Sequence, residues 1–510
     1  MTEGTRLAPP RAGAMLEALR GLGYTTSAAL ADIIDNSISA KATYARVHFE
    51  WDGECSRVSV LDDGRGMTDA ELQAAMTLGS RNPLDERTPT DLGRFGMGLK
   101  TASFSQCRRL TVASRCAGGE IVCLRWDLDV IAADPGSDWR MFEGPAPGSE
   151  RFVEPLTELC SGTLVLWEKM DRVVPPGSDL DHFADMVDEV EARLAMIFHR
   201  LIEGQRPDFH LFINNRQVVP WDPFMTGHPA KPWESPIARM PTQSGTVEVQ
   251  CHVLPHRDRL SEGNFDRAGG PEGWTSQQGF YVYRNRRLLL AGGWLGLGRG
   301  RAWNREESQR LARIRVDIPN SADADWKIDV KKSTARPPVF VRSWLTGLAE
   351  NTRERARNVF AFRGSPTPRP GGATIEQVWR VERLESGLRY RIDEAHPAVA
   401  AVLDICGHRR SLVRAMLRVV EETVPVQRIW LDTAESKETP RTGFLGESEM
   451  APDGVRSVLL TLYQDMIGRR GMNSDAAVRI LSSTEPFQNY PNLVASLPGI
   501  AMISDEGKAK

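Results

Sequence analysis

The sequence predicts an α+β protein in which helices cover one face of a largely antiparallel sheet, with further domains behind it. Three observations carry this. Apolar residues recur at helical spacing from about Ala12 to Ala42. The stretch that follows, "ARVHFEWDGECSRVSVLDD", alternates apolar and polar residues on both sides of Asp52-Gly53, the mark of a β-hairpin. The chain has 510 residues, too many for one core, so about two to four domains of roughly 100–200 residues are expected.

The remaining elements follow in order. "ELQAAMTLG" is a short helix. Residues 80–98 are rich in Gly, Pro and charge and form a long loop, a feature that compact domains usually keep for function. "LKTASFSQC" restarts a helix. "RRLTVASR", "EIVCLRWDLD" and "GTLVLWEKM" are strands, the first two joined around Gly118-Gly119. A long helix covers about 179–203. A second α/β region runs from "FHLFINNRQVVP" through "GFYVYRNRRLLL" and "LARIRVDIP" to "KIDVKKS". "RGSPTPRPGGAT" has linker composition. The last region opens with strands, "QVWRVERLESGLRYRID", and turns helical. The expected domains are therefore 1–177, 178–362 and 375–510, with 363–374 as linker.

Composition excludes several classes. A hydrophobic share of 41% and a charged share of 26% are ordinary for a globular protein, and a net charge of −3 makes any nucleic-acid surface a local one. The seven cysteines form no CxxC pair, which argues against a disulfide framework or a zinc ribbon. No apolar run approaches the roughly 20 residues of a membrane span, and the first residues lack the apolar core of a signal peptide. No membrane partner and a cytoplasmic location are expected.

Four short motifs carry chemistry. In "ADIIDNSISA", Asp32 and Asn36 are i and i+4 on one helix face. An acid beside an amide suits water activation and magnesium coordination, since magnesium takes oxygen ligands and keeps several waters. The isoleucines around them are core residues, and Asp35 reads as an exposed or capping acid. In "LDDGRGMT", Asp62, Gly64 and Gly66 form a D-x-G-x-G step at a strand end. The carboxylate can accept from an exocyclic amine, and the glycines let the backbone approach a flat ring. In "DLGRFGMGLKTA", Gly93, Gly96 and Gly98 precede a helix start, where backbone N–H groups bind anions, and Lys100 can add charge. The spacing is neither that of a Walker A loop nor that of a dinucleotide-binding turn. In "SGTLVLWE", Thr163 begins a strand and can hold a water shared with the base-reading acid.

In this order the four motifs resemble those of the GHKL ATPase superfamily: DNA gyrase, the ninety-kilodalton heat-shock chaperone, histidine kinases and MutL. "ADIIDNS", "DDGRGM", "GRFGMGLK" and "GT" match its four boxes, and the resemblance covers about residues 10–175. It implies a Bergerat-type ATP-binding α/β sandwich that uses ATP and Mg2+. Asn36 becomes the magnesium ligand. Asp32 stands where the MutL and gyrase branches carry glutamate, the base that orients the attacking water, and its shorter reach implies slow hydrolysis or binding alone. Asp62, Gly64, Gly66, Met67, Gly93, Gly96, Gly98, Leu99, Lys100 and Thr163 become nucleotide-binding residues.

"SADADWKIDVKKSTARPP" beyond "GFYVYRNRRLL" resembles the transducer domain of MutL and prokaryotic MORC relatives, a ribosomal-protein-like α/β fold. That resemblance implies a lysine that reaches the γ-phosphate, with Lys331 and Lys332 the candidates and Lys327 a third. Nine arginines lie between Arg284 and Arg315, among Trp294 and Trp303, and suit a phosphate backbone. No nuclease metal motif is seen. The expected function is an ATP-gated dimeric clamp on DNA in a restriction or anti-phage defence system, served by separate nuclease or helicase subunits. The alternatives are a chaperone-like protein remodeller and a non-hydrolysing nucleotide sensor that regulates a partner nuclease.

Overall fold

The computed structural model describes residues 11–21, 23–80, 98–133, 139–323, 325–329, 334–360, 376–384, 387–426, 429, 453–484 and 487–506. The chain forms two compact units, one of residues 1–254, 266–305 and 312–352, the other of 255–265, 306–311 and 353–510.

The first unit opens with two helices, α1 (Ala12–Arg20) and α2 (Thr26–Ser39). Helix α2 starts where Thr25 Oγ1 accepts from the Ala28 N–H, a side-chain N-cap. The hairpin read from the alternation follows as β1 (Tyr44–Glu50) and β2 (Arg57–Asp62), turned at Gly53 with φ of 54°. Then come α3 (Asp69–Met76), α4 (Gly98–Gln106), β3 (Arg109–Arg115), β4 (Ile121–Asp127), α5 (Leu128–Ala133), β5 (Phe142–Glu143), β6 (Gly162–Glu168) and α6 (Leu180–Ile197). The short α7 (His199–Ile202) leads to β7 (His210–Ile213) and β8 (Arg216–Gln217).

These strands make a sheet ordered β5-β4-β3-β6-β2-β1-β7-β8. Its pairings are antiparallel apart from β1 with β7, which is parallel. Alternation buries Ala45, Val47 and Phe49 of β1 and Val58 and Val60 of β2 against α1, α2, α4 and α6. The sheet extends beyond residue 177, where the sequence reading ended the first domain: "HLFI" pairs with β1 rather than with the later strands. A parallel neighbour needs a crossover, and α6 supplies it, a relation that strand composition cannot reveal.

The second sheet of this unit contains β9 (Trp233–Glu234), β10 (Ala238–Thr242), β11 (Gly245–Val253), β12 (Gly279–Arg284), β13 (Arg287–Ala291) and β14 (Ala312–Ile318). Its order is β10-β11-β14-β12-β13, with β9 on β11 and β12 parallel to β14. Helices α8 (Glu262–Gly269) and α9 (Gly273–Ser276) precede β12, and α10 (Val339–Phe360) follows β14. The second unit has a hairpin, β15 (Trp379–Leu384) and β16 (Gly387–Ile392), with α11 (Pro397–Ile405) and α12 (Arg410–Glu422). Its apolar core joins Ala401 to Leu459, Tyr463, Leu481 and Leu497 of three later helices. The mixed α+β class expected from the sequence is present in both units. Residues 363–374 lie outside the described residues.

Helix α3 is fixed by a capping box. Thr68 Oγ1 accepts from the Glu71 N–H, and Glu71 accepts from the Thr68 N–H. That backbone N–H, joined by Arg65, holds the Glu71 carboxyl down at about 2. The depressed value means that the box contributes fully at neutral pH and is lost as pH falls from the ordinary glutamate range toward about 2. Thr68→Ala is expected to cost about 1 kcal/mol. Hydrogen exchange across 69–76 should accelerate at pH 7; unchanged exchange there would remove the box as the element that sets α3.

Candidate nucleotide-binding site

Helix α2 presents the first group. Asp32 is buried at 6% exposure, and Asn36, one turn on, is exposed. No hydrogen-bond partner of the Asn36 side chain occurs among the described residues, so its amide oxygen remains available to a ligand. Asp32 Oδ2 accepts from Tyr24 Oη at 3.2 Å. Burial and then Asp32 hold the Tyr24 hydroxyl well above its ordinary range. Tyr24 is therefore a constant donor to that oxygen. The neighbouring Ile33 and Ile34 are core, as expected.

Asp35 corrects the sequence reading. It is 1% exposed rather than a surface or capping acid. Its two carboxylate oxygens each lie 3.2 Å from Arg287 Nε. Arg287 stands on β13, 252 residues further along the chain, so nothing local announced the pair.

Asp62 is the second group. The alternation that buries Val58 and Val60 puts the Asp62 carboxylate on the same inner face. Ser37 Oγ donates to Oδ2 at 2.7 Å, and the Gly64 N–H donates to Oδ1 at 2.9 Å. Burial raises the Asp62 pKa, while the bonds from Ser37, Gly64 and the Thr163 backbone oppose it. Ser37 ties the first motif to the second and was not singled out from sequence. Its one available signal is its place directly after Asn36.

The glycines around Asp62 are required by contact. A Cβ on Gly64 would sit 2.9 Å from Ala40 Cβ. On Gly66, with φ of +68°, it would lie 1.9 Å from the Arg115 carbonyl oxygen. On Gly162 it would lie 2.3 Å from the Asp62 carbonyl oxygen. Ser114 closes this floor. Its Oγ accepts from the Met67 N–H at 2.9 Å and lies 2.9 Å from Thr163 Oγ1 and 3.0 Å from the Gly162 carbonyl. Met67 and Thr163 are thus brought together with Asp62 by a serine on β3 that the sequence reading missed.

Helix α4 brings the third group. A Cβ on Gly98 would meet Asp32 Oδ2 at 3.7 Å, so the start of α4 lies beside that acid. Leu99 is half-buried against the core. Lys100 is 1% exposed, and its Nζ donates to the carbonyls of Ala75 and Thr77 at 2.8 Å each, closing the C-terminal end of α3. Gly93 and Gly96 lie outside the described residues.

Lys331 and Lys332 also lie outside the described residues, but their flanks do not. The Thr334 N–H donates to Asp329 Oδ1 at 2.9 Å, and the Arg336 N–H donates to the Trp326 carbonyl at 2.7 Å. Asp329 adds a small push to the raised Tyr24 hydroxyl, after burial and Asp32. Lys327 is exposed, with φ of 47°.

The arginine run is not one surface. Arg284, Arg287, Arg310 and Arg313 are buried. Arg313, fully buried, donates to Tyr281 Oη at 2.5 Å and lies over the rings of Trp221, Trp274 and Tyr281. Arg286, Arg299, Arg301 and Arg305 are exposed. Residue type alone did not separate the packing arginines from the surface ones.

Gly66 and Gly118 separate contact from conformation. Both have positive φ, but a Cβ at Gly118 would meet nothing within 4 Å. Alanine at Gly118 should cost about 1 kcal/mol, and at Gly66 clearly more, because the chain must also move away from Arg115. Thermal melting of the two variants checks this; equal losses would mean that the Gly66 turn adapts.

Residues 24–162 match the family described as histidine kinase-, DNA gyrase B-, and HSP90-like ATPase. Over 97 residues the chain is 36% identical to the DNA mismatch repair protein MutL of Sphingopyxis alaskensis, a stretch that covers 18% of this chain and 16% of that protein. The chain thus matches about a sixth of that relative's length. Tyr24, Asp32, Asn36 and Asp62 fall within the matched segment and Thr163 directly follows it; the similarity of this segment is to the GHKL ATPase superfamily and reaches the MutL-like ATPases.

Proposed function

We propose that the protein binds ATP with magnesium in the first unit, hydrolyses it slowly and uses the nucleotide to close a dimeric clamp on DNA. One observation carries the nucleotide reading: Asp62, buried and fixed by Gly64, is bonded by Ser37, the residue directly after the exposed Asn36. Bound magnesium would screen the phosphates and polarise the γ-phosphate. Asn36 would hold the ion through its amide oxygen. Asp32 would orient a water and take its proton. Asp62 would accept from the adenine amine, with Met67 and Thr163 beside the ring. Gly93, Gly96, Gly98, Leu99 and Lys100 would shape the phosphate end.

The second sheet then serves as the transducer of MutL and MORC-type ATPases. Lys331 or Lys332 would contact the γ-phosphate, a reading that rests on the transducer resemblance. A clamp needs a basic surface, and Arg299 and Arg342 line an open cleft of about 420 Å³ that offers one. Arg299 already pairs with Glu350 at 2.6 Å, so DNA phosphates would compete for it. No helix among the described residues is long and apolar enough to cross a membrane. The defence context, with separate nuclease or helicase subunits, rests on the MORC resemblance.

A second reading, regulation of a protein partner, is favoured by α12. Leu412, Met416 and Val419 recur on one face of that helix and are exposed. A protein that shows no salt-dependent DNA affinity would favour it.

Nucleotide binding has a pH signature. The raised Asp62 pKa means that its proton returns above the ordinary aspartate range. A protonated carboxyl loses an acceptor, so ATP affinity should weaken as pH falls toward that range. Asp62→Asn should lower affinity at pH 7 by about tenfold or more and abolish the pH dependence. Calorimetric titration checks this; an Asn variant that binds as well as the wild type would remove Asp62 from the adenine site.

The clamp predicts a nucleotide-dependent mass. ATP or a non-hydrolysable analogue should shift the protein to a dimer in sedimentation, and ADP should not. DNA affinity should fall steeply with salt, and Arg299→Ala with Arg301→Ala should flatten the slope by about two counterions. Equal mass with ATP, with ADP and without nucleotide would sink the clamp.

A further inference from the structure

Arg287 is placed by its turn. Strand β12 ends at Arg284 and β13 begins at Arg287, paired with it across a two-residue loop. Asn285 and Arg286 have φ of 48° and 68°, the left-handed pair of a type I′ turn. Arg286 anchors that turn by donating to Asp208 and to the Arg200 carbonyl. The next residue, Arg287, is 4% exposed, and its Nη1 donates to the Leu288 carbonyl at 2.8 Å. The guanidinium plane is thereby tied to its own strand. Its Nε faces Asp35, and its Nη2 lies 3.9 Å from Asp32 Oδ1.

The two oxygens of Asp32 therefore face different partners: Tyr24 on one side, Arg287 on the other. The terminal torsion of an aspartate is broad and settles wherever its partners put it. A plain structural tie between β13 and α2 would need only Asp35. The same guanidinium also approaches Asp32. We propose that Arg287 is a positioning residue: anchored by Asp35, it orients the Asp32 carboxylate, so that the site is complete only while β13 is docked on α2. This rests on the reading of Asp32 as the acid that orients water. A planar fork can serve both carboxylates at once, whereas a lysine offers one point charge.

The test separates orientation from folding. Arg287→Lys keeps a charge for Asp35 but not the fork. Arg287→Met with Asp35→Asn removes both charges of the anchoring pair and leaves Asp32 without its guanidinium neighbour. In each, kcat for ATP should fall about tenfold or more while ATP affinity stays within about threefold. A double variant that regains wild-type kcat, or a lysine variant that never lost it, would overturn the proposal and leave Arg287 a packing residue. Should the double variant fail to fold, the lysine variant decides alone. A readout independent of turnover is hydrogen exchange across 280–290. A non-hydrolysable ATP analogue should increase protection there in the wild type and not in the double variant; equal protection in both overturns the proposal. Asp32→Ala isolates the underlying reading: if it hydrolyses ATP like the wild type, Asp32 is not the acid, whatever Arg287 does. A wild type that binds no ATP removes the site and this proposal together.

Discussion

The Arg287 guanidinium, set between two carboxylates of one helix, ties the second sheet of the first unit to α2. Buried charges persist only when paired, and removing one partner typically costs about 3–5 kcal/mol because the other is stranded. Asp35 at 1% exposure and Arg287 at 4% are such partners. Helix α2 must therefore meet β13, and α2 is also the helix that carries Asp32 and Asn36. One of the ties between the sheets thus also sets where the candidate chemistry lies relative to the second sheet.

The floor around Asp62 obeys a different rule, satisfaction of buried polar groups at close backbone approach. Ser37, Gly64 and the Thr163 backbone all spend their donors on Asp62, and Ser114 links Met67, Gly162 and Thr163. Three glycines stand where any Cβ would strike a neighbour. A floor so closely tied keeps the Asp62 carboxylate in one orientation, and a fixed acceptor is what recognition of a flat ring demands. Asn36, in contrast, stands exposed and open to a ligand.

Charge counted along the chain is a poor guide to charged surface here. The arginines of β12 to β14 divide between two tasks. Arg313 is spent on aromatic rings and a tyrosine hydroxyl, and Arg287 on Asp35, while Arg299 and Arg301 remain outside. The second unit has its own apolar core around Tyr463 and Leu459, so its role need not follow from the nucleotide site.

The sequence by itself determined the elements and their chemistry. Period 3.6 in α2 and period 2 about Gly53 are local patterns, and the described structure contains the helix and the hairpin they predict. The acid and amide on α2 are likewise a matter of spacing. Only the tertiary structure decided what depends on residues far apart. It put "HLFI" beside β1 through a parallel crossover, gave Ser114 to Met67 across 47 residues, and buried Asp35 against an arginine 252 positions away. Sequence periodicity reports which face of an element turns inward. It carries no information about which charge waits there, because pairing a buried ion is settled by the packing of whole sheets and not by the residues beside it.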